Sequence, residues 1–323
     1  MLMKDTKDVL EGTVERIDAN LSRVRAGDSL FDCEVRKKLF RYDPLKTEIA
    51  VGDKVRFEKI GDGTGVIEEV LPRKTRLSRR AVMKDAEEQI IAANIDQLVS
   101  VSSAKEPRLN TRLIDRYLVV AEKHNFNAII CINKIDIADT NELKIQLEPY
   151  ENLPYQILYI SALKKTNIDK LENLLKNKIS ILSGYSGVGK SSIINAILPG
   201  AEVETEEVSA KWKKGKHKTT AVTMFHLPFG GYIIDTPGIR EFGLWEVKRE
   251  ELSGLFPDFI PFINGCKFRD CSHIMESGCA LKTAVEKGEV YKTRYESYVA
   301  IYNSITEIKP WEKKRDVKNR YKH

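Results

Sequence analysis

A short glycine-rich segment after an apolar run constrains this chain more than any other feature. Residues 179–182 are typical of a buried strand, and residues 184–191 directly after them fit the pattern G-x-x-x-x-G-K-[ST]. Small residues let the backbone curl so that successive N–H groups point inward, and the helix that begins at Lys190 adds its positive end. A chance glycine turn is the alternative, which the flanking strand and helix disfavour. The sequence therefore predicts a phosphate-binding loop.

The side chains of this loop have separate predicted roles. The loop consists of Gly184, Tyr185, Ser186, Gly187, Val188, Gly189, Lys190 and Ser191, and Ser192 follows it. We expect Lys190 to reach the β- and γ-phosphates, Ser191 to ligate Mg²⁺ and Ser192 to donate to the α-phosphate. Such a loop does not by itself distinguish ATP from GTP.

A second motif indicates which base is bound. The apolar run 128–132 ends at Asn133-Lys134-Ile135-Asp136. Guanine presents N1–H and a 2-amino group side by side, and the Asp136 carboxylate can accept both, whereas adenine would leave it desolvated and unpaired. We expect discrimination of about 10⁴-fold. Asn133 is predicted to meet O6/N7 and to tether the phosphate loop, while the Lys134 stem covers the base plane.

Two more loops complete the nucleotide motifs. Ser161 and Ala162 end the next predicted strand, where a backbone N–H could meet guanine O6. Asp235 and Gly238 are the ends of a DTPG sequence that follows the predicted strand 232–234. Asp235 is predicted to hold Mg²⁺ through water, and the Gly238 N–H to sense the γ-phosphate. An ordinary Asp-Pro-Gly turn is the alternative.

The order of these motifs is unusual. In most guanine-nucleotide switches the phosphate loop comes first, but here the base motif at 133–136 precedes it. Because loops at the carboxyl ends of parallel strands meet at one edge of a sheet, relinking the strands leaves such a site intact. We therefore predict a circularly permuted GTPase domain of doubly wound α/β type over residues 84–245.

The N-terminal segment and the charge distribution suggest a polyanionic partner. Residues 1–72 show short strands at 9–17, 30–35, 54–57 and 65–70, the last two after Gly-Asp turns, which is typical of a small closed barrel. Basic runs occur in the predicted linker 73–83 (Arg73, Lys74, Arg76, Arg79, Arg80), at 211–218 and at 309–323. One run alone is most often a solvated face, and the net charge of +6 is modest, but three separate runs favour a polyanion.

The C-terminal part, residues 246–323, is predicted to be helical around a cysteine cluster. Of the five cysteines, Cys33 and Cys131 lie alone in predicted strands. Cys266, Cys271, His273 and Cys279 supply four donors, which suits a closed, structural tetrahedral Zn²⁺ site. Reduced free cysteines are the alternative.

A final helix is predicted over about 284–308. It places Tyr291, Tyr295, Tyr298 and Tyr302 near one face, which favours packing over a binding surface. Residues 1–10 are charged and lack the apolar centre of a secretory signal, and no apolar stretch is long enough to span a bilayer. We therefore expect a cytoplasmic protein.

These motifs resemble those of one known family, the ribosome small-subunit-dependent GTPase A family of circularly permuted GTPases. The resemblance includes the barrel, the stretch 113–118 (LIDRYL), the nucleotide motifs and the cysteine cluster. It implies an OB-type barrel, a permuted P-loop GTPase domain and a zinc-binding helical domain. It also implies a role in late maturation of the small (30S) ribosomal subunit, which stimulates GTP hydrolysis. The implied partners are this subunit and its 16S rRNA, with no membrane, and we expect a monomer.

The resemblance also implies roles in the segment 215–220. This segment is similar to the family's Gly-Arg/Lys-His-Thr-Thr-Thr, with Lys218 in place of the first Thr. Thr219 is therefore the predicted Mg²⁺ ligand, with Thr220 as the alternative. Ile239 stands where Ras-like proteins carry a water-orienting Gln, so another group must position water. His217 is the implied candidate, and a solvent-exposed loop histidine is the alternative.

The motifs discriminate among three functional classes. A GTP-hydrolysing enzyme, with Lys190, Thr219 and His217 as its catalytic residues, agrees with the complete motif set. An RNA-binding assembly scaffold in which GTP is only structural would carry the same barrel and basic runs. A metabolic P-loop kinase disagrees with Asp136 and lacks an evident acceptor site.

Overall fold

The computed structural model describes residues 8–18, 21–36, 49–80, 88–200, 222–235 and 246–305. The chain divides into two compact units, residues 1–243 and 244–323. Several predicted features lie outside the described residues: His217, Thr219, Thr220, Gly238, and the basic runs at 211–218 and 309–323.

A closed barrel forms the first part of the larger unit. Its strands are β1 (Val9–Asp18), β2 (Leu21–Ala26), β3 (Ser29–Val35), β4 (Lys54–Gly61) and β5 (Thr64–Val70). They close in the order β1-β2-β3-β5-β4, and β1 pairs with β4. Alternate residues point inward, so that Phe31 and Phe57 meet in the core with ring centroids 5.0 Å apart. The predicted OB-type barrel is confirmed, although β2 was not predicted.

A hairpin follows the barrel where the sequence predicted a basic linker. Strand β6 (Arg76–Arg80) pairs antiparallel with β7 (Glu88–Ala93). Arg73, just before β6, is not a free cation: its Nε and Nη2 donate to the Asp53 carboxylate at 2.6 and 2.7 Å. The side chain of Asp53 is fully buried. Arg73, which belongs to the basic run that was predicted to favour a polyanion, therefore forms a structural ion pair.

The rest of the larger unit is a six-stranded sheet flanked by helices. The strands are β8 (Gln97–Ser103), β9 (Asn127–Asn133), β10 (Gln156–Tyr159), β11 (Ile179–Ser183), β12 (Thr223–His226) and β13 (Tyr232–Asp235). Among the described residues its α-helices are α1 (Thr111–His124), α2 (Thr140–Leu147), α3 (Ile168–Leu175) and α4 (Lys190–Ile197). Strand order is β10-β9-β8-β11-β13-β12, parallel except for the edge strand β12.

This topology brings separated loops to one edge of the sheet. The apolar runs of β8, β9 and β11 are buried on both faces, as expected of central parallel strands. Register pairs Ser103 with Asn133 on one side and Leu182 with Asp235 on the other. The base motif, the phosphate loop and the DTPG sequence therefore all begin at the carboxyl edge, and the permuted α/β fold is confirmed.

The smaller unit is helical in its described residues. It contains α5 (Arg249–Leu252), α6 (Ile260–Ile263), α7 (Ala280–Glu286) and α8 (Lys292–Ser304). The single helix predicted over 284–308 is wrong, because the chain turns between α7 and α8, where Gly288 has φ +77°. Tyr298 is 1% exposed and packs against Phe256 and Phe259, so the packing role predicted for the tyrosine stripe is confirmed there.

Among the described residues, no helix combines the length and apolarity that crossing a membrane requires.

Candidate functional site

The phosphate loop lies between β11 and α4, as the sequence predicts. Two of its glycines are required by close approach. A Cβ on Gly184 would lie 2.2 Å from the carbonyl oxygen of Val101 in β8. Gly189 has φ +95°, and a Cβ there would lie 2.3 Å from Nδ2 of Asn133. The loop can therefore sit against the neighbouring strands only with glycine at these positions.

Lys190 occupies the first turn of α4 with its ammonium folded back over the loop. Its Nζ donates to the carbonyl oxygens of Gly184 at 2.8 Å and Tyr185 at 3.1 Å. The side chain is thereby held against the backbone at the start of the loop. Ser191 and Ser192, the predicted Mg²⁺ and α-phosphate contacts, are half-buried in the same turn. A cation and backbone N–H groups at a helix N-terminus suit a phosphate chain.

Asn133 connects three segments that are far apart in sequence. It is buried at the end of β9, where its Nδ2 donates to the carbonyl oxygen of Val188 at 3.0 Å. Its Oδ1 accepts from the backbone N–H of Ala162 at 3.0 Å. The first contact is the tether to the phosphate loop that the sequence predicts. The second joins the same side chain to the Ser161-Ala162 segment, from which a backbone N–H was predicted to reach guanine O6, and it uses the N–H of Ala162.

The remaining base-motif residues form a turn beyond β9. Lys134 adopts a left-handed conformation at φ 63°, and a 3-10 turn, Ile135–Ile137, follows. Asp136 is exposed on this turn, where a base edge could reach its carboxylate. The turn is fixed to the next strand because the Ile135 N–H donates to the carbonyl oxygen of Ile160 at 3.3 Å.

Ser161 stabilises the loop after β10 through its hydroxyl, which accepts from the Lys164 N–H at 3.0 Å. Asp235, the last residue of β13, pairs with Leu182 of β11, so its backbone lies beside the start of the phosphate loop. The predicted Mg²⁺ ligands therefore include Ser191 in the described helix, Asp235 placed by its backbone, and Thr219 outside the described residues.

The cysteine cluster assembles as the sequence predicts. One donor atom from each of Cys266, Cys271, His273 and Cys279 lies within 4.8 Å of the others. Nδ1 of His273 is 3.4 Å from the sulfurs of Cys266 and Cys279, which are 3.9 Å apart. Tetrahedral zinc–sulfur bonds of about 2.3 Å would place two sulfurs about 3.8 Å apart. The donor set and its spacing fit such a metal.

Burial shapes the chemistry of these donors. Burial raises the pKa of the Cys279 thiol and raises the pKa of the Cys271 thiol to about 12, whereas it lowers the pKa of His273. A neutral imidazole is the form that ligates metal. Thiols held protonated by burial would lose their protons to solvent when a cation binds their sulfurs. In contrast, Cys33 and Cys131 are free and buried in two different cores.

The sequence did not reveal what holds this cluster in place. The Glu276 carboxylate accepts from the backbone N–H groups of Ser272 at 2.8 Å and of Ile274 at 3.2 Å. From α8, the Tyr295 hydroxyl donates to the carbonyl oxygen of His273 and the Tyr298 hydroxyl to that of Ser272, each at 2.7 Å. The tyrosine stripe was the available signal, since buried tyrosine hydroxyls normally find a partner.

Fold and nucleotide site together define the class of protein: a P-loop GTPase whose sheet strands are circularly permuted. The model of the RsgA GTPase family matches residues 70–245, more than half of the chain. The chain belongs to the RsgA GTPase family.

Curated relatives and solved structures agree with this assignment. The small ribosomal subunit biogenesis GTPase RsgA of Chlorobaculum tepidum is 41% identical, over 93% of this chain and 100% of its own length. That of Christiangramia forsetii is 38% identical, over 90% and 95%. The crystal structure of YjeQ from Thermotoga maritima superposes with a TM-score of 0.76 at 35% identity, over 92% and 98% of the two chains. That of YloQ, a circularly permuted GTPase, gives 0.73 at 30%, over 96% and 99%.

Proposed function

We propose that this chain binds GTP at the carboxyl edge of its sheet, hydrolyses it to GDP and phosphate, and acts in late maturation of the small ribosomal subunit. The observation that carries the proposal is the Asn133 side chain, which joins the phosphate loop to the base motif and to Ala162. A chance glycine turn would not be built into such a network. The relatives' names supply the ribosomal part.

The phosphate end would be held by the loop N–H groups and Lys190. In the structure the Lys190 ammonium rests on loop carbonyls, and phosphate oxygens would replace these weaker partners. Bound Mg²⁺ would neutralise charge on the β- and γ-phosphates. Ser191, Asp235 and Thr219 would hold it, with Thr220 as the alternative to Thr219.

The guanine end would be selected by Asp136, and a switch of base preference tests this. Wild type should bind GDP far more tightly than ADP in calorimetry. In Asp136→Asn an amide N–H replaces a carboxylate oxygen, so GDP affinity should fall and affinity for xanthosine diphosphate, which has a carbonyl in place of the 2-amino group, should rise. Equal affinity of wild type for ADP and GDP would remove the basis of the proposal.

Stimulated turnover separates the enzyme from an RNA-binding scaffold with structural GTP. GTP hydrolysis should rise when purified small ribosomal subunits are added, and a scaffold would show no such rise. His217 is proposed to position the attacking water. His217→Ala should therefore bind GTP as wild type does but lose stimulated hydrolysis, whereas an exposed loop histidine would leave hydrolysis unchanged.

We also propose 16S rRNA as the RNA partner and a cytoplasmic location, both of which follow from a ribosomal-subunit partner, and a monomeric state. The proposed domains are residues 1–72, 84–245 and 246–323, with 73–83 between the first two. The closed barrel and the division of the chain after residue 243 support the outer two domains, whereas the hairpin β6–β7 spans the proposed boundary at 83/84.

The metal in the cysteine cluster is proposed to be one structural Zn²⁺. Three sulfurs and one imidazole leave no open position for a reacting group on tetrahedral zinc. Elemental analysis should give one zinc per chain. Chelation should increase amide hydrogen exchange in residues 260–290 and leave GDP affinity nearly unchanged. Unaltered exchange after complete metal removal would contradict a structural role.

A further inference from the structure

The loop after β8 returns across the base motif. Register pairs Ser103 with Asn133, and the Ala104 N–H donates to the carbonyl oxygen of Asn133 at 2.8 Å. The residues that follow Ala104 therefore lie beside Lys134. There the Lys134 ammonium donates to the carbonyl oxygen of Glu106 at 2.6 Å. The Lys134 ammonium is thus hydrogen-bonded to the loop after β8.

The same carbonyl oxygen is held from the other side by a buried serine. Ser103 Oγ donates to the carbonyl oxygen of Glu106 at 2.8 Å and accepts from the Lys105 N–H at 3.4 Å. Ser103 is only 1% exposed, at the end of a strand buried along its whole length. One carbonyl oxygen therefore receives both the serine hydroxyl and the lysine ammonium, and the serine fixes its direction.

A hydrogen-bonded ammonium matters because lysine has a long flexible stem. Four carbons separate the ammonium from the backbone, and their rotamer freedom is lost when the stem must lie flat on a base. Anchoring the ammonium before the nucleotide binds removes part of that loss from the binding step. Any group that orients the anchor therefore contributes to nucleotide affinity without touching the nucleotide.

We propose that Ser103 is a positioning residue for guanine nucleotide: it orients the Glu106 carbonyl, which anchors Lys134 with its stem over the base plane. This inference rests on the proposed GTP-binding function.

Nucleotide affinity and steady-state kinetics test the proposal. Ser103→Ala should bind GDP about 2- to 10-fold more weakly, with most of the change in the dissociation rate. The KM for GTP should rise while kcat stays constant, because the lost interaction is the same in the ground and transition states. A merely unfolded fraction would lower kcat and leave KM unchanged, and that result would overturn the proposal. Ser103→Thr keeps the hydroxyl and should restore affinity.

A matched control is available on the same strand. Ser100 is fully buried in β8, and its hydroxyl has no hydrogen-bond partner among the described residues. Ser100→Ala removes the same atoms from the same element and should leave GDP affinity unchanged. If it weakens binding as much as Ser103→Ala does, the effect comes from β8 packing and the proposal fails.

A double-mutant cycle shows whether Ser103 acts through Lys134. In a Lys134→Ala background, Ser103→Ala should cause no further loss of GDP affinity. An equal loss in both backgrounds would mean that Ser103 does not act through Lys134. It would overturn the proposal whatever the result for Ser103→Thr. The wild-type preference for GDP over ADP is measured in the same series. Its absence would reject the GTP-binding function itself, whereas wild-type behaviour of Ser103→Ala would reject only the role of Ser103.

Discussion

The side chain of Asn133 donates to the carbonyl oxygen of Val188 at 3.0 Å across 55 residues of sequence. Val188 lies inside the phosphate loop, whereas Asn133 begins the base motif, and both residues are buried. The Ala162 N–H donates to Oδ1 of Asn133, so that both ends of the Asn133 side-chain amide have a hydrogen-bond partner. The two halves of the nucleotide site are thus joined by one side chain before any ligand binds.

Asn133→Ala should damage both stability and nucleotide binding. It leaves the Val188 carbonyl and the Ala162 N–H buried without their partner, which should lower the free energy of unfolding by about 1–3 kcal/mol. Asn133→Asp should be no better, since it can still accept from Ala162 but turns an oxygen towards the Val188 carbonyl. Urea denaturation and GDP calorimetry measure these effects. Asn141→Ala, at an exposed position of α2, is the control, and an equally small effect at both sites would refute the tether.

Gly189→Ala should disable the phosphate loop. The added methyl would lie 2.3 Å from Nδ2 of Asn133, and a positive φ of 95° is strained for alanine by about 1–2 kcal/mol. GDP binding should become too weak to detect in calorimetry. Gly200→Ala is the matched control, since a Cβ there meets nothing within 4 Å. Full GDP binding by Gly189→Ala would show that the loop tolerates a different path.

Arg73→Ala should destabilise the protein rather than only weaken its binding to RNA. The substitution leaves the Asp53 carboxylate, whose side chain is 0% exposed, without its bidentate partner, at a cost of about 3–5 kcal/mol in unfolding free energy. Arg23→Ala breaks an ion pair to Asp32 whose side chains are 44% and 48% exposed, and should cost less than about 1 kcal/mol. If Arg73→Ala and Arg23→Ala caused similarly small losses of unfolding free energy in thermal and urea denaturation, a structural role of Arg73 would be refuted.

Glu276 should contribute stability that depends on pH. Hydrogen bonds, first of all from Ser272, lower the pKa of Glu276 to about 2. Its folded pKa is therefore below the unfolded value of about 4.3. Its contribution should be fully present above about pH 4.5 and disappear as the pH falls through the folded value.

The difference in unfolding free energy between wild type and Glu276→Gln measures that contribution. With chelator present throughout, this difference should be constant from neutral pH to about pH 5 and shrink towards pH 2. Glu286→Gln, at an exposed carboxylate of α7, is the matched comparison and should show no such trend. A difference for Glu276→Gln that does not change with pH would contradict the hydrogen-bonded anion.

Local sequence signals were sufficient to predict those strands, loops and helices that are specified by their own residues. The strand 179–182, the glycine loop and the helix at Lys190 follow one another in the chain, so their pattern could be read directly. Strand β2 was missed because arginines at 23 and 25 interrupt its apolar residues, and those arginines face acids of neighbouring strands. Such pairings are decided across the sheet.

Contacts between residues far apart in the chain also explain why the sequence did not indicate some of the site residues. A serine that ends a buried strand is common, and only the register of β8 against β9 places Ser103 where its hydroxyl reaches the anchor of Lys134. Likewise, Glu276 helps to hold the cysteine cluster only because the chain turns back there and presents the N–H groups of Ser272 and Ile274 to its carboxylate.

The chemical groups of this protein could be predicted from its residues alone: a loop able to wrap phosphate, a carboxylate able to select guanine, and three thiols with one imidazole for a metal. These follow from side-chain chemistry and short-range spacing. The folded structure was needed to show that Asn133 joins the base motif to the phosphate loop and that Arg73 forms an ion pair with Asp53. It was also needed to show that the Tyr295 and Tyr298 hydroxyls donate to the carbonyl oxygens of His273 and Ser272. Hydrogen bonds depend on ångström distances between atoms, and sheet register and helix packing set those distances between residues far apart in the chain.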